Sequence, residues 1–111
     1  MKYMLLINTD PSHWSEDMSA EYMAFTQEIV ESGEFVAGDP LEGRDSATTV
    51  RVRDGKVTTT DGPFAETKEH IGGYYIVDVK DLDRAIELAE QIPGVKRELE
   101  SIEVRPIMPV G

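Results

Sequence analysis

The densest chemistry in the chain is Thr60-Asp61-Gly62-Pro63-Phe64-Ala65-Glu66-Thr67-Lys68-Glu69-His70-Ile71-Gly72-Gly73-Tyr74-Tyr75, where carboxylates, an ammonium and an imidazole crowd a glycine-proline turn. Gly62 tolerates positive φ, and Pro63 fixes its own φ while biasing Gly62 away from the helical region, so the turn is rigid by construction. Phe64 anchors it to the core. Asp61 is left at a strand end, where its carboxylate either accepts backbone N–H groups as an Asx turn or faces a cavity. Glu66 and Lys68 alternate with Ala65 and Thr67, so in an extended segment both would project to one side and could pair, and Lys68 next to Asp61 would keep that carboxylate ionised. His70, paired with Asp61 or Glu66, would do general acid–base work near neutral pH. The competing reading is structural: Asp61 caps its own backbone, and Glu66 with Lys68 forms a surface pair worth under about 1 kcal/mol. Two distant histidines, no cysteine and no calcium-loop spacing argue against a metal centre, and no cofactor is expected.

The elements that must hold this stretch read in order. Tyr3 to Ile7 is a short apolar run that suits a strand in the middle of a sheet, buried on both faces. Ser19 is the expected cap of a helix, with Met18 and Met23 as its hydrophobic staple, and Met18, Tyr22, Phe25 and Ile29 form its apolar stripe. Gly33 ends it. Glu34 to Gly38 reads as a second strand broken by Asp39-Pro40. Ala47 to Arg53 and Lys56 to Thr60 read as a hairpin turned by Asp54-Gly55, with Val52 facing Val57, Val50 facing Thr59, Arg51 facing Thr58 and Thr49 facing Thr60. That register sets Arg51 on the face of the strand end that delivers Asp61. Tyr74 to Val79 alternate as a strand, with Tyr75, Val77 and Val79 on one face. Asp81 caps a second helix with Leu82, Ala85, Ile86, Ala89 and Ile92 inward, stopped by Pro93-Gly94. Glu100 to Arg105 closes the chain as a strand with Ile102 and Val104 facing in. Trp14, in a polar loop, reads as an indole over a core edge or as a pocket lid.

Composition bounds the partners. The chain has 111 residues, 40% of them hydrophobic, enough for one domain over 1–111 and too few for two. Eleven cations against 22 carboxylates give a formal charge of −11, which repels a phosphate backbone and argues against nucleic acid. No stretch has membrane-spanning length, and a cytoplasmic location with no membrane partner is expected.

Without the hairpin the order is βαββαβ, an α+β, ferredoxin-like arrangement with two helices on one face of an antiparallel sheet. The other face carries Val50, Tyr74 or Tyr75, and Ile76, an apolar surface that predicts a homodimer with facing sheets.

Ala47-Thr48-Thr49-Val50-Arg51, Asp54-Gly55-Lys56, Thr60 through Glu69, Gly72-Gly73-Tyr74-Tyr75 and Ile102-Glu103-Val104-Arg105-Pro106 together resemble DGPF-type members of the YCII-related family. The resemblance implies a dimeric α/β barrel of ferredoxin-like subunits in a bacterial cytoplasmic protein, often considered an accessory to extracytoplasmic-function sigma factors by genomic association. The wider superfamily includes a dehydrochlorinase acting on a chlorinated hydroquinone, and some members carry a histidine on the first helix paired with an aspartate. The corresponding position here is Tyr22. His70 stands where relatives usually have another residue.

Two functional readings follow. In the first, the protein is a lyase- or isomerase-type enzyme binding a small molecule in a cleft at the dimer interface. Asp61 and His70 are its candidate acid–base residues, and Arg51, Gly62, Pro63, Phe64, Glu66, Lys68, Tyr22 and Tyr74 line the site. In the second, the same motif shapes a non-catalytic regulatory or protein-interaction module.

Overall fold

Strand pairing follows the alternation of the sequence. The computed structural model describes residues 1–10, 12, 16–62 and 70–110. β1 (Lys2–Thr9) lies between β5 (His70–Asp78) and β6 (Ser101–Pro106), and β2 (Phe35–Pro40) pairs with the free edge of β5. The order β2-β5-β1-β6 is antiparallel at every pairing. α1 (Glu16–Glu31) follows β1, while α2 (Leu82–Glu90) and the short α3 (Pro93–Lys96) lie between β5 and β6. The fold is mixed α+β. Tyr3, Leu5 and Ile7 of β1 and Tyr75 and Val77 of β5 join Phe25, Ile29, Ala85, Leu88 and Ile92 from the helices in one core. Phe25 meets the Tyr75 ring edge-on at 5.4 Å, and the Tyr75 hydroxyl lies 2.7 Å from Thr26 Oγ1.

β1 is central, as expected, but it is not sealed on both faces. Tyr3, Leu5 and Ile7 are buried, whereas Met4 and Leu6 on the alternate face are half-buried, because the helices pack on one side of the sheet. α1 starts at Glu16, ahead of the expected Ser19 cap, since Glu16 and Asp17 complement the positive end of the helix dipole. Met23 is therefore no staple and is 74% exposed, while Met18, Phe25 and Ile29 are buried as the stripe predicted. Gly33, with φ +81°, ends the turn after α1.

β2 runs through Asp39-Pro40, which an edge strand allows because proline's missing N–H costs no ladder bond there. Asp81 Oδ1 accepts from Arg84 N–H at 2.9 Å and caps α2 as expected. The buried stripe of that helix is rotated, however: Leu88 is inside, and Leu82 and Ile86 are exposed. α2 ends at Glu90, ahead of Pro93-Gly94 as expected, and Pro93 then starts the short α3, since the first helical position needs no N–H.

β3 (Thr48–Arg53) and β4 (Lys56–Asp61) form a separate two-stranded ribbon. Asp54 at φ 50° and Gly55 at φ 75° make the expected turn, and Val52–Val57, Val50–Thr59, Arg51–Thr58 and Thr49–Thr60 pair as read from the sequence.

Candidate functional site

The register of β1 gathers polar residues at one end of the main sheet. Thr9 pairs with His70 and Asn8 with Ser101, so the end of β1, the start of β5 and the residue just before β6 meet there. Ile7 pairs with Ile102 on the helix-covered face, and side chains alternate along a strand. Thr9, His70 and Glu100 therefore belong to the face that α1 covers. The close is tight at this end: a Cβ on Gly72 would fall 2.3 Å from Thr9 Cγ2, so only glycine admits the irregular pairing that seats His70 opposite Thr9.

Tyr22, midway along α1, donates its hydroxyl to Glu100 Oε1 across this end. Burial, then the hydrogen bond to Glu100, pushes the Tyr22 phenol far above the ordinary tyrosine range. Tyr22 is a fixed proton donor throughout the physiological range. Glu100 is pressed against Gly94, where a Cβ would fall 1.7 Å from its Oε1. α3 thus presents a bare Cα because the carboxylate needs the space.

His70 is half-buried, and its Nδ1 is shielded from solvent with no hydrogen-bond partner among the described residues. Asp10, at the exit of β1, is 8% exposed, and its Oδ1 accepts from Ser12 N–H at 3.0 Å and Ser12 Oγ at 2.9 Å. The arrangement supports proton transfer: a neutral phenol held as a donor, two carboxylates and an imidazole in one corner of the fold.

Sequence reasoning missed Asp10 and Glu100. Asp10 carried a signal, since an aspartate ending an apolar strand with serine two residues on forms an Asx turn. Glu100 carried none, because its partner lies 78 residues away.

The remaining candidates fall elsewhere. Asp61 ends β4, exposed and opposite Thr48, which by alternation puts it on the face of Val50 and Thr59. Arg51 shares a face with Thr58 and with Thr60 at the strand end, as expected, while Asp61, one residue further on, turns to the opposite face. Gly62 takes φ +103°, donates its N–H to Ala47 O at 2.7 Å and accepts from Thr49 Oγ1 at 2.8 Å, locking the turn to the hairpin. Tyr74 alternates to the opposite face from the core and donates to Asp39 Oδ2 at 2.8 Å, a bond that raises its phenol above the ordinary range. Pro63, Phe64, Glu66 and Lys68 lie outside the described residues, as does Trp14.

The far end of the sheet holds an open depression of about 570 Å³ lined by Ser32, Gly33, Glu34, Asp78 and Arg84. Arg84 is engaged there: its Nε and Nη2 bind the two Glu34 oxygens at 2.8 Å each, and Nη1 binds Glu87 at 3.1 Å. This corner ties α2 to the strand entry, and Lys80 lines the same depression. Among the described residues no three His, Asp or Glu side chains are grouped to hold a metal ion, and no helix is long and apolar enough to cross a membrane.

Comparison with known proteins bears on the same chain. The family model described as YCII-related domain matches residues 1–110. An uncharacterised protein of Rhizobium meliloti (strain 1021) is 33% identical over 114 residues, covering 96% of this chain and 92% of that one. Among solved structures, 5-chloro-2-hydroxyhydroquinone dehydrochlorinase from Burkholderia phenoliruptrix AC1100, in complex with 2,5-dihydroxybenzoquinone, superposes with a TM-score of 0.63 at 16% identity, covering 97% of this chain and 94% of that one. At that identity the likeness is one of fold.

Proposed function

This chain belongs to the YCII-related domain family, and from that premise we propose that it is a small-molecule enzyme of the lyase or isomerase type, working by proton transfer at the His70 end of the sheet. The observation that carries the reading is the Tyr22–Glu100 hydrogen bond over the same end and face as a half-buried His70 whose Nδ1 has no partner among the described residues. His70 is the base, because its ring Nδ1 has no hydrogen-bond partner among the described residues and an imidazole nitrogen can accept a proton. Tyr22, held protonated by burial and Glu100, donates to the oxygen on which charge develops. Asp61 is a second acid–base group, with Gly62 beside it at the end of β4. Tyr74 serves the site only across a dimer interface, since it lies on the sheet face opposite the helices, and Arg51 is taken to reach it from the hairpin of the second copy.

The dimer is part of the proposal. A ferredoxin-like subunit with the order β2-β5-β1-β6 leaves Met4, Leu6 and Ile76 on its helix-free face, and a facing second sheet would close a dimeric α/β barrel. A bacterial cytoplasmic setting goes with this reading. The non-catalytic alternative is favoured by one observation, the exposed valines of the hairpin, which suit a protein surface.

The substrate is a small oxygenated compound, phenolic or enolisable, whose C–H or O–H proton moves to His70. A thermal-shift screen of phenolic, carboxylic and phosphorylated metabolites identifies binders, because a ligand of the native state raises its melting temperature. Proton exchange of each hit in D₂O is then followed by NMR. Exchange catalysed by wild type and lost in His70→Asn and Asp61→Asn is expected. A set of hits whose exchange is unaffected by either change would remove the enzyme reading. No hits, with Asp61→Asn melting lower, would favour the interaction module.

A further inference from the structure

Plain alternation along β5 puts His70 on the wrong face. Tyr75 and Val77 lie in the core, and carrying their period of two back along the strand sends Gly73 and Ile71 inward and His70 outward with Tyr74 and Ile76. The observed pairing differs. Gly73 lies opposite Ile7, but the next pair is Ile71 with Asn8 and the one after it His70 with Thr9, so Gly72 has no counterpart in β1. β1 itself is regular here, because it keeps an unbroken register with β6 from Tyr3 to Asn8. Gly72 is therefore the extra residue of a β-bulge, and His70 and Ile71 have exchanged faces.

Exposure records the exchange. Ile71 is 46% exposed, on the helix-free side with its partner Asn8, whereas His70 is half-buried with its Nδ1 shielded from solvent. Burial would favour the isoleucine in the inner position, so the ladder must be held against that preference. Two contacts hold it. Leu41, just past β2, donates its N–H to the Gly72 carbonyl at 2.9 Å. On the other side Gly72 lies so close to β1 that a Cβ would fall 2.3 Å from Thr9 Cγ2, and a β-branched side chain does not swing that methyl aside freely. The positive-φ glycines are Gly33, Gly55 and Gly62, so Gly72 is needed for space and not for an unusual φ.

We propose that the Gly72 bulge is the device that gives the helix-covered face His70 in place of Ile71, which makes Gly72 the positioning residue of the proton-transfer site. It acts through the backbone alone. The same exchange sends Ile71 to the face of Met4, Leu6 and Ile76, so one extra residue supplies an imidazole to one side of the sheet and an apolar side chain to the other. The positioning role rests on His70 as the base, as proposed above; the exchange of faces does not.

Nuclear Overhauser contacts in isotope-labelled protein test it, with circular dichroism to verify the fold. In wild type the His70 ring is expected to contact the Thr9 methyl, because directly opposed side chains are neighbours. Gly72→Ala loses that contact, since the ladder slips by one residue and Ile71 takes the place beside Thr9. Thr9→Ala/Gly72→Ala removes the methyl that the new Cβ would strike, and the ring regains its contact with position 9. Deleting Gly72 leaves His70 beside Thr9, because removing an unpaired residue keeps the pairs on either side of it. Persistence of the wild-type contact in Gly72→Ala, failure of the double variant to restore it, or a deletion that brings Ile71 beside Thr9 would each overturn the bulge. Should Gly72→Ala not fold, the double variant and the deletion decide. These contacts need no ligand, so a wild type without proton exchange in D₂O would remove the enzyme reading and leave the exchange of faces to be judged by them alone.

Discussion

The Tyr22 hydroxyl donates to the Glu100 carboxylate, joining the middle of α1 to the residue that precedes β6. The bond closes the helix over one end of the sheet, and it keeps the phenol neutral and oriented. Tyr22→Phe leaves a partly buried carboxylate without its donor, and a loss of about 1–3 kcal/mol is expected in urea unfolding. Stability also gains an alkaline signature from Tyr22. Because the folded phenol pKa lies above the unfolded one, the unfolded chain releases its proton first and stability falls as pH rises past the ordinary tyrosine range. That part of the alkaline slope is absent in Tyr22→Phe.

Gly94 controls the position of Glu100 without contributing a side chain. In Gly94→Ala the new methyl takes the place of the carboxylate, which swings away because a glutamate end is flexible. The expected result is a small change in melting temperature and a Tyr22 phenol that titrates lower in ultraviolet absorbance. An unchanged tyrosine titration would show that Glu100 keeps its place by another route.

The Glu34–Arg84 pair predicts acid behaviour at the opposite end of the sheet. The Arg84 hydrogen bonds hold the Glu34 carboxyl below the ordinary glutamate range. A lowered folded pKa means that the stabilisation is complete above the unfolded value and is lost as pH falls through the folded one. Glu34→Gln should lower stability by about 1 kcal/mol at pH 7, and the difference from wild type should vanish at low pH. Denaturant melts between neutral and acid pH measure both.

Gly38 lies where β2 crosses the Tyr75 ring. A Cβ there would fall 2.6 Å from Tyr75 Cδ1 and 3.1 Å from the Tyr74 carbonyl oxygen, and the ring is locked between Phe25 and Phe35. Gly38→Ala should therefore cost about 1–3 kcal/mol by overpacking. The same change at Gly43, which has no atom within 4 Å of its Cβ, should be nearly neutral.

Local chemistry was legible wherever one short segment decides the outcome. The Asp54-Gly55 turn dictated the hairpin register residue by residue, because a two-residue loop with positive φ admits one alignment. Strand alternation located Tyr75, Val77 and Val79 in the core, and the apolar stripe located Phe25 and Ile29. Boundaries were less legible. Proline at 40 and at 93 read as a stop, but an edge strand and a helix start both accept a residue without an N–H, and sequence does not say which neighbour is missing.

The amino-acid sequence by itself determined the element order, the hairpin and its turn, since each rests on side chains within a few residues of one another, and it determined the family through motifs spread along the chain. Tertiary structure alone decided which candidates meet. It brought Tyr22 to Glu100 over 78 residues and set His70 opposite Thr9. The physical reason is that a period of two separates faces by a single residue, while contact across the sheet depends on pairings between distant strands that no local pattern encodes.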